Sequence, residues 1–150
     1  YRRDPDAGIV TLRAEGSLGD GVTCKVSTGR AVAEAGLHPL TGGDGLTLCS
    51  GDMLLEALVA CAGVTLRAVA TSLEIEVRGG VLVAEGELDA RGTLGVDRDA
   101  PVGLTSVRLR ADLDTDADDD QLATLMRLTE RYCVVAQTLM LGAPVHMEVA

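Results

Sequence analysis

The stretch Ser50-Gly-Asp-Met-Leu-Leu-Glu-Ala-Leu-Val-Ala-Cys-Ala-Gly-Val-Thr-Leu-Arg67 decides the fold, because it contains the most apolar run of the chain. Ser50 is a favourable N-cap and Asp52 a favourable first-turn acid, so the stretch predicts a helix that ends at about Thr71. Glu56 and Arg67 would be costly in a bilayer without partners. The stretch is therefore interpreted as a core helix, and no membrane contact is expected.

Two cysteines in helical settings, Cys61 and Cys133, are the main candidates for chemistry. They lie far apart along the chain, so only a fold could bring their thiols together, as in a two-cysteine redox enzyme. At 100° per residue Cys61 shares an apolar stripe with Leu54 and Leu58. Burial of both cysteines as small hydrophobic residues is the competing interpretation.

An apolar site raises the pKa of a thiol unless a cation or an amide dipole stabilises the thiolate. The candidate cations for Cys61 are four arginines: Arg13, Arg30, Arg67 and Arg131. The thiolate of Cys133 has a local source of stabilisation, because a helix break at Tyr132 would leave its thiol beside the free N–H groups of a helix N-terminus.

Composition excludes several classes of partner and site. The net charge of −10 and the 1% of aromatic residues argue against nucleic-acid binding, which needs cationic and base-stacking groups. His38 and His146 are isolated and no Cys-x-x-Cys motif occurs, so no metal site and no cofactor are expected. With 150 residues and four cysteines, we expect a single domain over residues 1–150, a cytoplasmic location and reduced thiols at rest.

Hydrophobic periodicity and turn residues predict an α+β order of elements. A hairpin is expected from β-strands at 8–15 and 21–27, followed by the stretch 29–49, much of which is expected to be a long loop. Beyond the first helix, the predicted elements are strands at 73–78, 81–91 and 104–114, helices at 119–132 and from Cys133 to about 140, and a final strand at 144–149. The acidic run 112–120 is interpreted as the approach to a helix N-terminus.

The stretch ending at Arg67, the Gly42-Gly43 pair, and Arg131-Tyr-Cys-Val-Val-Ala-Gln-Thr-Leu139 together resemble the osmotically inducible protein C (OsmC) family, which includes the organic hydroperoxide resistance (Ohr) proteins. The resemblance implies antiparallel sheets, a central cysteine-bearing helix and an intertwined homodimer. The stripe of Leu54, Leu58 and Cys61 and the loop around Gly42 would then contact the second subunit.

By the same resemblance, Cys61 corresponds to the cysteine that attacks a peroxide and Cys133 to the one that resolves the product. The implied partners are a small-molecule hydroperoxide and a dithiol reductant such as a lipoyl group. Cys24 and Cys49 are expected to be structural.

Several positions depart from the Ohr pattern, among them Val134 after Cys133 where many members have proline, and they indicate an OsmC-like protein outside that subgroup. The Ohr glutamate stands ten residues before the cysteine, where this chain has Gly51, so Asp52 is the nearest candidate acid. The hairpin turn lacks arginine, which makes Arg13 the candidate activator of Cys61. Two functions stay open: a thiol-dependent peroxidase that uses Cys61 and Cys133, or a weakly active or non-catalytic dimer that binds a hydrophobic ligand or senses redox state.

Overall fold

The computed structural model describes residues 15–18, 24–27 and 32–149, which belong to two compact units, one up to Ser50 and one from Gly51 onward. The prediction of a single domain over residues 1–150 is not tested by this division and stays a prediction. Arg13 and Arg30 lie outside the described residues.

The first unit contains a four-stranded sheet in the order β1-β2-β3-β4, with β1 at Glu15–Leu18, β2 at Cys24–Ser27, β3 at Val32–Gly36 and β4 at Leu48–Cys49. The first three strands are antiparallel neighbours, and the short β4 joins β3 in parallel. A 3₁₀ turn at Pro39–Thr41 follows His38, whose Nδ1 accepts a hydrogen bond from the N–H group of Leu40 at 3.1 Å.

The second unit packs three helices of at least two turns around a two-stranded antiparallel sheet. Its elements are α1 at Ser50–Ser72, β5 at Gly79–Leu88, a single turn α2 at Ala90–Thr93, β6 at Leu104–Asp114, α3 at Asp119–Tyr132 and α4 at Val134–Leu141. Leu82 pairs with Ala111 and Ala84 with Leu109, so these four residues lie on the same face of the sheet.

The core of the second unit consists of two clusters along α1. The first cluster is made of Leu66, Val69, Ala70, Ile75 and Leu125. The second contains Leu58, Ala62 and Cys133, with Cys61 at its edge and Leu82, Ala84 and Leu109 of the sheet packed against it. By length and composition α1 could also cross a membrane, but its buried residues contact the sheet, α3 and the segment around Cys133, as expected of a core helix.

The helix bounds expected from the sequence agree with the structure. The helix predicted over 119–132 matches α3, and Cys133 breaks the chain between α3 and α4. Asp118 and Gln121 form a capping box, in which each side chain accepts a hydrogen bond from the backbone N–H group of the other. The acidic run therefore does precede a helix N-terminus.

Three strand and turn predictions are wrong. β1 occupies residues that are expected to form the hairpin turn. The stretch 29–49, much of which is expected to be loop, also contains β3 and β4. The predicted strand 81–91 ends at Leu88, because the Asp89 side chain accepts a hydrogen bond from the N–H group of Arg91 and caps α2. Residues 73–78 form a turn and an irregular segment. Their alternation reflects the packing of Leu73, Ile75 and Val77 in the first core cluster rather than strand pairing.

The C-terminal segment 144–149 is not a strand, which corrects the remaining prediction. A strand needs a neighbour to pair its backbone groups, and this segment pairs with none of the described residues. Its alternating apolar residues, Val145, Met147 and Val149, are largely or fully exposed.

Candidate active site with two neighbouring thiols

The fold brings Cys61 and Cys133 together. Cys61 lies in the middle of α1 and is half-buried, whereas Cys133 lies between α3 and α4 and is 1% exposed. Both cysteines carry free thiols, and the two thiols are close enough for each to shift the pKa of the other. The two residues belong to the same core cluster.

Cys133 is the N-cap of α4, and its sulfur accepts a hydrogen bond from the N–H group of Ala136 at 3.5 Å. An N-cap side chain satisfies one or two of the free N–H groups in the first turn. The N–H group of Val135 acts on the sulfurs of both cysteines, and the N–H group of Val134 acts on the sulfur of Cys61.

This arrangement lowers the pKa of Cys61 below its ordinary value. The largest effect comes from the N–H group of Val135, which stabilises the thiolate, and partial burial opposes it. Smaller lowering effects come from the thiol of Cys133, the N–H group of Val134 and the hydroxyl of Thr65. The Cys61 thiolate is thus stabilised by a helix N-terminus that belongs to another segment of the chain.

The pKa of Cys133 moves in the opposite direction and lies above its ordinary value. Burial is the main cause, and the N–H group of Ala136 offsets only part of it. The neighbouring Cys61 raises the pKa further, because two adjacent thiols do not ionise together easily. The N–H groups at the start of α4 do lower the pKa of Cys133, as expected of a helix N-terminus, but burial outweighs them.

None of the four candidate arginines is shown to act on the Cys61 thiol. Arg67 donates a hydrogen bond to the carbonyl oxygen of Val77, and Arg131 lies 5.8 Å from the ring centre of Tyr132. Neither guanidinium is among the groups that shift the pKa of Cys61. Since Arg13 lies outside the described residues, its role stays a prediction.

Asp52 is exposed in the first turn of α1, where its charge suits the positive end of the helix. It borders a shallow depression with Leu55, Glu56 and Ala84, and it is not among the groups that shift the pKa of Cys61. A catalytic role for Asp52 therefore stays a prediction. No group of three or more potential metal-binding side chains occurs within the described parts of the chain.

A cavity of about 300 Å³, called here the Cys133 cavity, adjoins this pair of thiols. Its wall includes Cys133 but not Cys61, and most of it is apolar. Three polar residues of α3 also line it: Arg127, Thr129 and Glu130. The sequence does not reveal this cavity, because the polarity of Thr129 carries information only once its burial is known.

Thr129 is 2% exposed, and its Oγ1 has no hydrogen-bond partner among the described residues. A buried hydroxyl without a partner destabilises a fold. We therefore expect Thr129→Val to raise the free energy of unfolding of the reduced protein by about 1 kcal/mol in urea titrations. Thr124→Val, at a half-buried position of the same helix outside the cavity, is the matched control. A clear loss of stability in Thr129→Val alone would contradict this expectation.

Comparison with known proteins identifies the family of this chain. A family model for OsmC-like proteins matches residues 42–148, and the chain belongs to this family. The match extends over α1, both neighbouring cysteines and the Gly42-Gly43 pair, so the resemblance inferred from these motifs is confirmed. No curated protein sequence matches the chain significantly.

Solved structures support the same α+β fold. An OsmC-like protein from Mycoplasma pneumoniae has 14% identity and a TM-score of 0.73, with 87% of this chain and 88% of that chain covered. An organic hydroperoxide resistance protein OsmC from Legionella pneumophila has 18% identity and a TM-score of 0.69, with coverage of 87% and 90%. The organic hydroperoxide resistance protein OhrB of Bacillus subtilis has 15% identity and a TM-score of 0.65, with coverage of 86% and 90%. Because these sequence identities are low, the structural similarity supports a shared fold and nothing further.

Proposed function

We propose that the protein is a thiol-dependent peroxidase that reduces organic hydroperoxides, and hydrogen peroxide as a second substrate, through Cys61 and Cys133. The observation that carries this proposal is the opposite direction of the two pKa shifts at neighbouring thiols. Cys61 is the more accessible and more acidic thiol, as an attacking sulfur requires, and Cys133 is the buried and less acidic one. Membership of the OsmC-like family supports the same assignment.

The first step is attack of the Cys61 thiolate on an oxygen of the peroxide. An S–O bond forms, the O–O bond breaks, and the leaving alkoxide takes a proton to become an alcohol, or water when hydrogen peroxide is the substrate. The product on the protein is Cys61 sulfenic acid. The N–H groups of Val134 and Val135 stabilise the thiolate before the attack.

The second step closes a disulfide. The Cys133 sulfur attacks the Cys61 sulfur, the S–O bond breaks, and hydroxide leaves and combines with the Cys133 proton as water. A dithiol such as a dihydrolipoyl group then returns both cysteines to thiols and leaves as its own disulfide. Asp52 and Arg13 are proposed as further catalytic residues, Arg13 by holding the peroxide or the Cys61 thiolate.

The Cys133 cavity favours a second candidate function, which is binding of a small hydrophobic ligand or redox sensing by a weakly active protein. Cavities lined mainly by apolar side chains are typical of small-molecule sites. Gly51, at the position of the Ohr glutamate, points in the same direction. Slow peroxide turnover together with tight ligand binding would favour this alternative.

An intertwined homodimer is proposed as the working assembly, in the cytoplasm, with residues 1–150 as one domain and without nucleic-acid or membrane partners. The support is the exposed apolar surface of the second unit, with Val64 of α1, Val81 of β5 and Leu141 of α4 exposed by 74%, 64% and 79%. Leu58 packs inside its own chain, so Leu54 is the large aliphatic residue of the expected interface stripe that stays exposed.

We expect light scattering to give the mass of a dimer at micromolar concentration, with an interface above about 2,000 Å² of buried surface. Val64→Arg should shift the protein toward monomer, because an unpaired charge in an apolar interface is costly. Thr93→Arg, at an exposed position of α2, is the control and should stay dimeric. A stable wild-type monomer would contradict the proposed assembly.

The experiment that tests the proposed function is peroxide consumption with dihydrolipoamide as the reductant. Cumene hydroperoxide and hydrogen peroxide are compared at equal concentration, with wild-type protein and with the cysteine variants. We expect catalytic turnover with both peroxides and faster turnover with the organic one. Consumption at the rate of the reductant alone would favour the ligand-binding alternative.

A further inference from the structure

The two cysteines differ in their contact with the Cys133 cavity. Cys133 lies in the cavity wall with Met126, Thr129 and Met140, whereas Cys61 does not line the cavity. A molecule bound in this space would therefore border Cys133 rather than Cys61. The partnerless hydroxyl of Thr129 independently indicates that a polar group belongs in this mainly apolar place.

We propose that the Cys133 cavity is the binding site of the thiol reductant, which attacks the Cys133 sulfur of the oxidised protein and forms its mixed disulfide there. This inference rests on the proposed function. It assigns two separate approaches, with the peroxide reaching Cys61 outside the cavity and the reductant reaching Cys133 inside it.

The exchange is balanced as two thiol–disulfide steps. A thiolate of the reductant bonds to the Cys133 sulfur, the Cys61–Cys133 bond breaks, and Cys61 leaves as a thiolate. The second thiol of the reductant then loses its proton and attacks the reductant sulfur in the mixed disulfide. Cys133 leaves and takes up a proton, and the reductant departs as a cyclic disulfide. Two electrons pass from the reductant to the protein.

The electronic properties of the two sulfurs favour the same direction. In thiol–disulfide exchange the thiol with the lower pKa leaves faster. Cys61 has the lowered pKa because the N–H groups of Val135 and Val134 stabilise its thiolate, and burial raises the pKa of Cys133. Attack on Cys133 therefore expels the better leaving group, whereas attack on Cys61 would expel the poorer one.

The wall of the cavity suits a small dithiol that has an apolar chain and a polar end. Methionine and leucine side chains, including Met126, Leu139 and Met140, offer contact to the chain. The Thr129 hydroxyl can donate a hydrogen bond to an amide or carboxylate oxygen at the polar end. Arg127 and Glu130 supply one charge of each sign beside it.

Trapping of the mixed disulfide tests which sulfur the reductant attacks. The dimeric full chain is oxidised with diamide, which does not require peroxidase activity, and is then treated briefly with the monothiol cysteamine, which cannot complete the second step. After an acid quench the free thiols are alkylated with iodoacetamide, and the modified peptides are identified by mass spectrometry. We expect cysteamine on Cys133 and alkylation on Cys61 in at least a tenfold excess over the reverse pattern.

The reverse pattern, or a failure of diamide to join Cys61 to Cys133, would overturn the inference. A disulfide that forms with diamide but not with a hydroperoxide would instead count against the proposed peroxidase function. In that case the preference of cysteamine for Cys133 would still be tested by the same experiment.

The role of the cavity is tested with the variants Thr129→Val and Thr124→Val. Re-reduction of the diamide-oxidised protein by dihydrolipoamide should be about fivefold slower in Thr129→Val, the effect of one lost hydrogen bond. Thr124→Val, outside the cavity, should react like the wild type. Equal rates in both variants and the wild type would overturn the cavity as the reductant site.

Discussion

Cys61→Ser is expected to lower hydroperoxide turnover by roughly a thousandfold or more, which is the scale of effect seen when a nucleophile is removed. A serine hydroxyl does not ionise near neutral pH, so the N–H groups of Val135 and Val134 would have no thiolate to stabilise. The measurement is steady-state consumption of cumene hydroperoxide with dihydrolipoamide. The fold should persist, because serine is similar in size to cysteine at this half-buried position.

Cys49→Ser is the matched control, since Cys49 is also a free, half-buried thiol but lies in the other compact unit. It should retain wild-type turnover. If Cys61→Ser keeps more than about a tenth of the activity, or if Cys49→Ser loses as much, Cys61 is not the attacking thiol.

Cys133→Ser is expected to convert repeated turnover into a single event for each subunit. Cys61 would still react with peroxide, but no neighbouring thiol would close the disulfide, so sulfenic acid should accumulate. Sustained turnover with dihydrolipoamide should fall by about a hundredfold, with a burst of one equivalent of peroxide consumed. Dimedone labelling with mass spectrometry would locate the sulfenic acid on Cys61.

This variant also separates chemistry from packing. Cys133 caps α4 through the N–H group of Ala136, and serine is at least as good an N-cap, so α4 should remain folded. Unchanged circular dichroism together with a burst would support the resolving role. Full steady-state turnover in Cys133→Ser would exclude it.

The helices could be predicted from the sequence because their signals are local. Asp118 and Gln121 carry the capping box of α3, and the bounds of that helix agree with those expected from periodicity. The break at Cys133 was likewise predictable, although which thiol benefits from it was not. An N-cap position suggests that Cys133 itself receives the free N–H groups of α4, and the sequence does not reveal that Cys61 lies opposite the same helix end.

Strand predictions failed where apolar and polar residues alternate along the chain but the segment has no neighbouring strand to pair with. Ile75 and its apolar neighbours alternate with polar residues as a strand would, yet they pack into the core without a ladder partner. The segment 144–149 alternates in the same way and pairs with none of the described residues. Pairing depends on what lies beside a segment in space, and periodicity records only which residues face apolar surroundings.

The Cys133 cavity and its partnerless hydroxyl were also beyond prediction. Thr129 stands where an apolar residue of α3 would satisfy the helical pattern, and its polarity carries information only once its burial is known.

The central claim is that the N-terminus of α4 makes Cys61, and not Cys133, the acidic thiol. The most direct test is the pH dependence of iodoacetamide alkylation, followed separately for each cysteine by mass spectrometry of the reduced wild-type protein. We expect a midpoint for Cys61 below that of a cysteine in the unfolded protein, and a midpoint for Cys133 above it. A Cys61 midpoint at or above that value, or the reverse order of the two thiols, would contradict the claim.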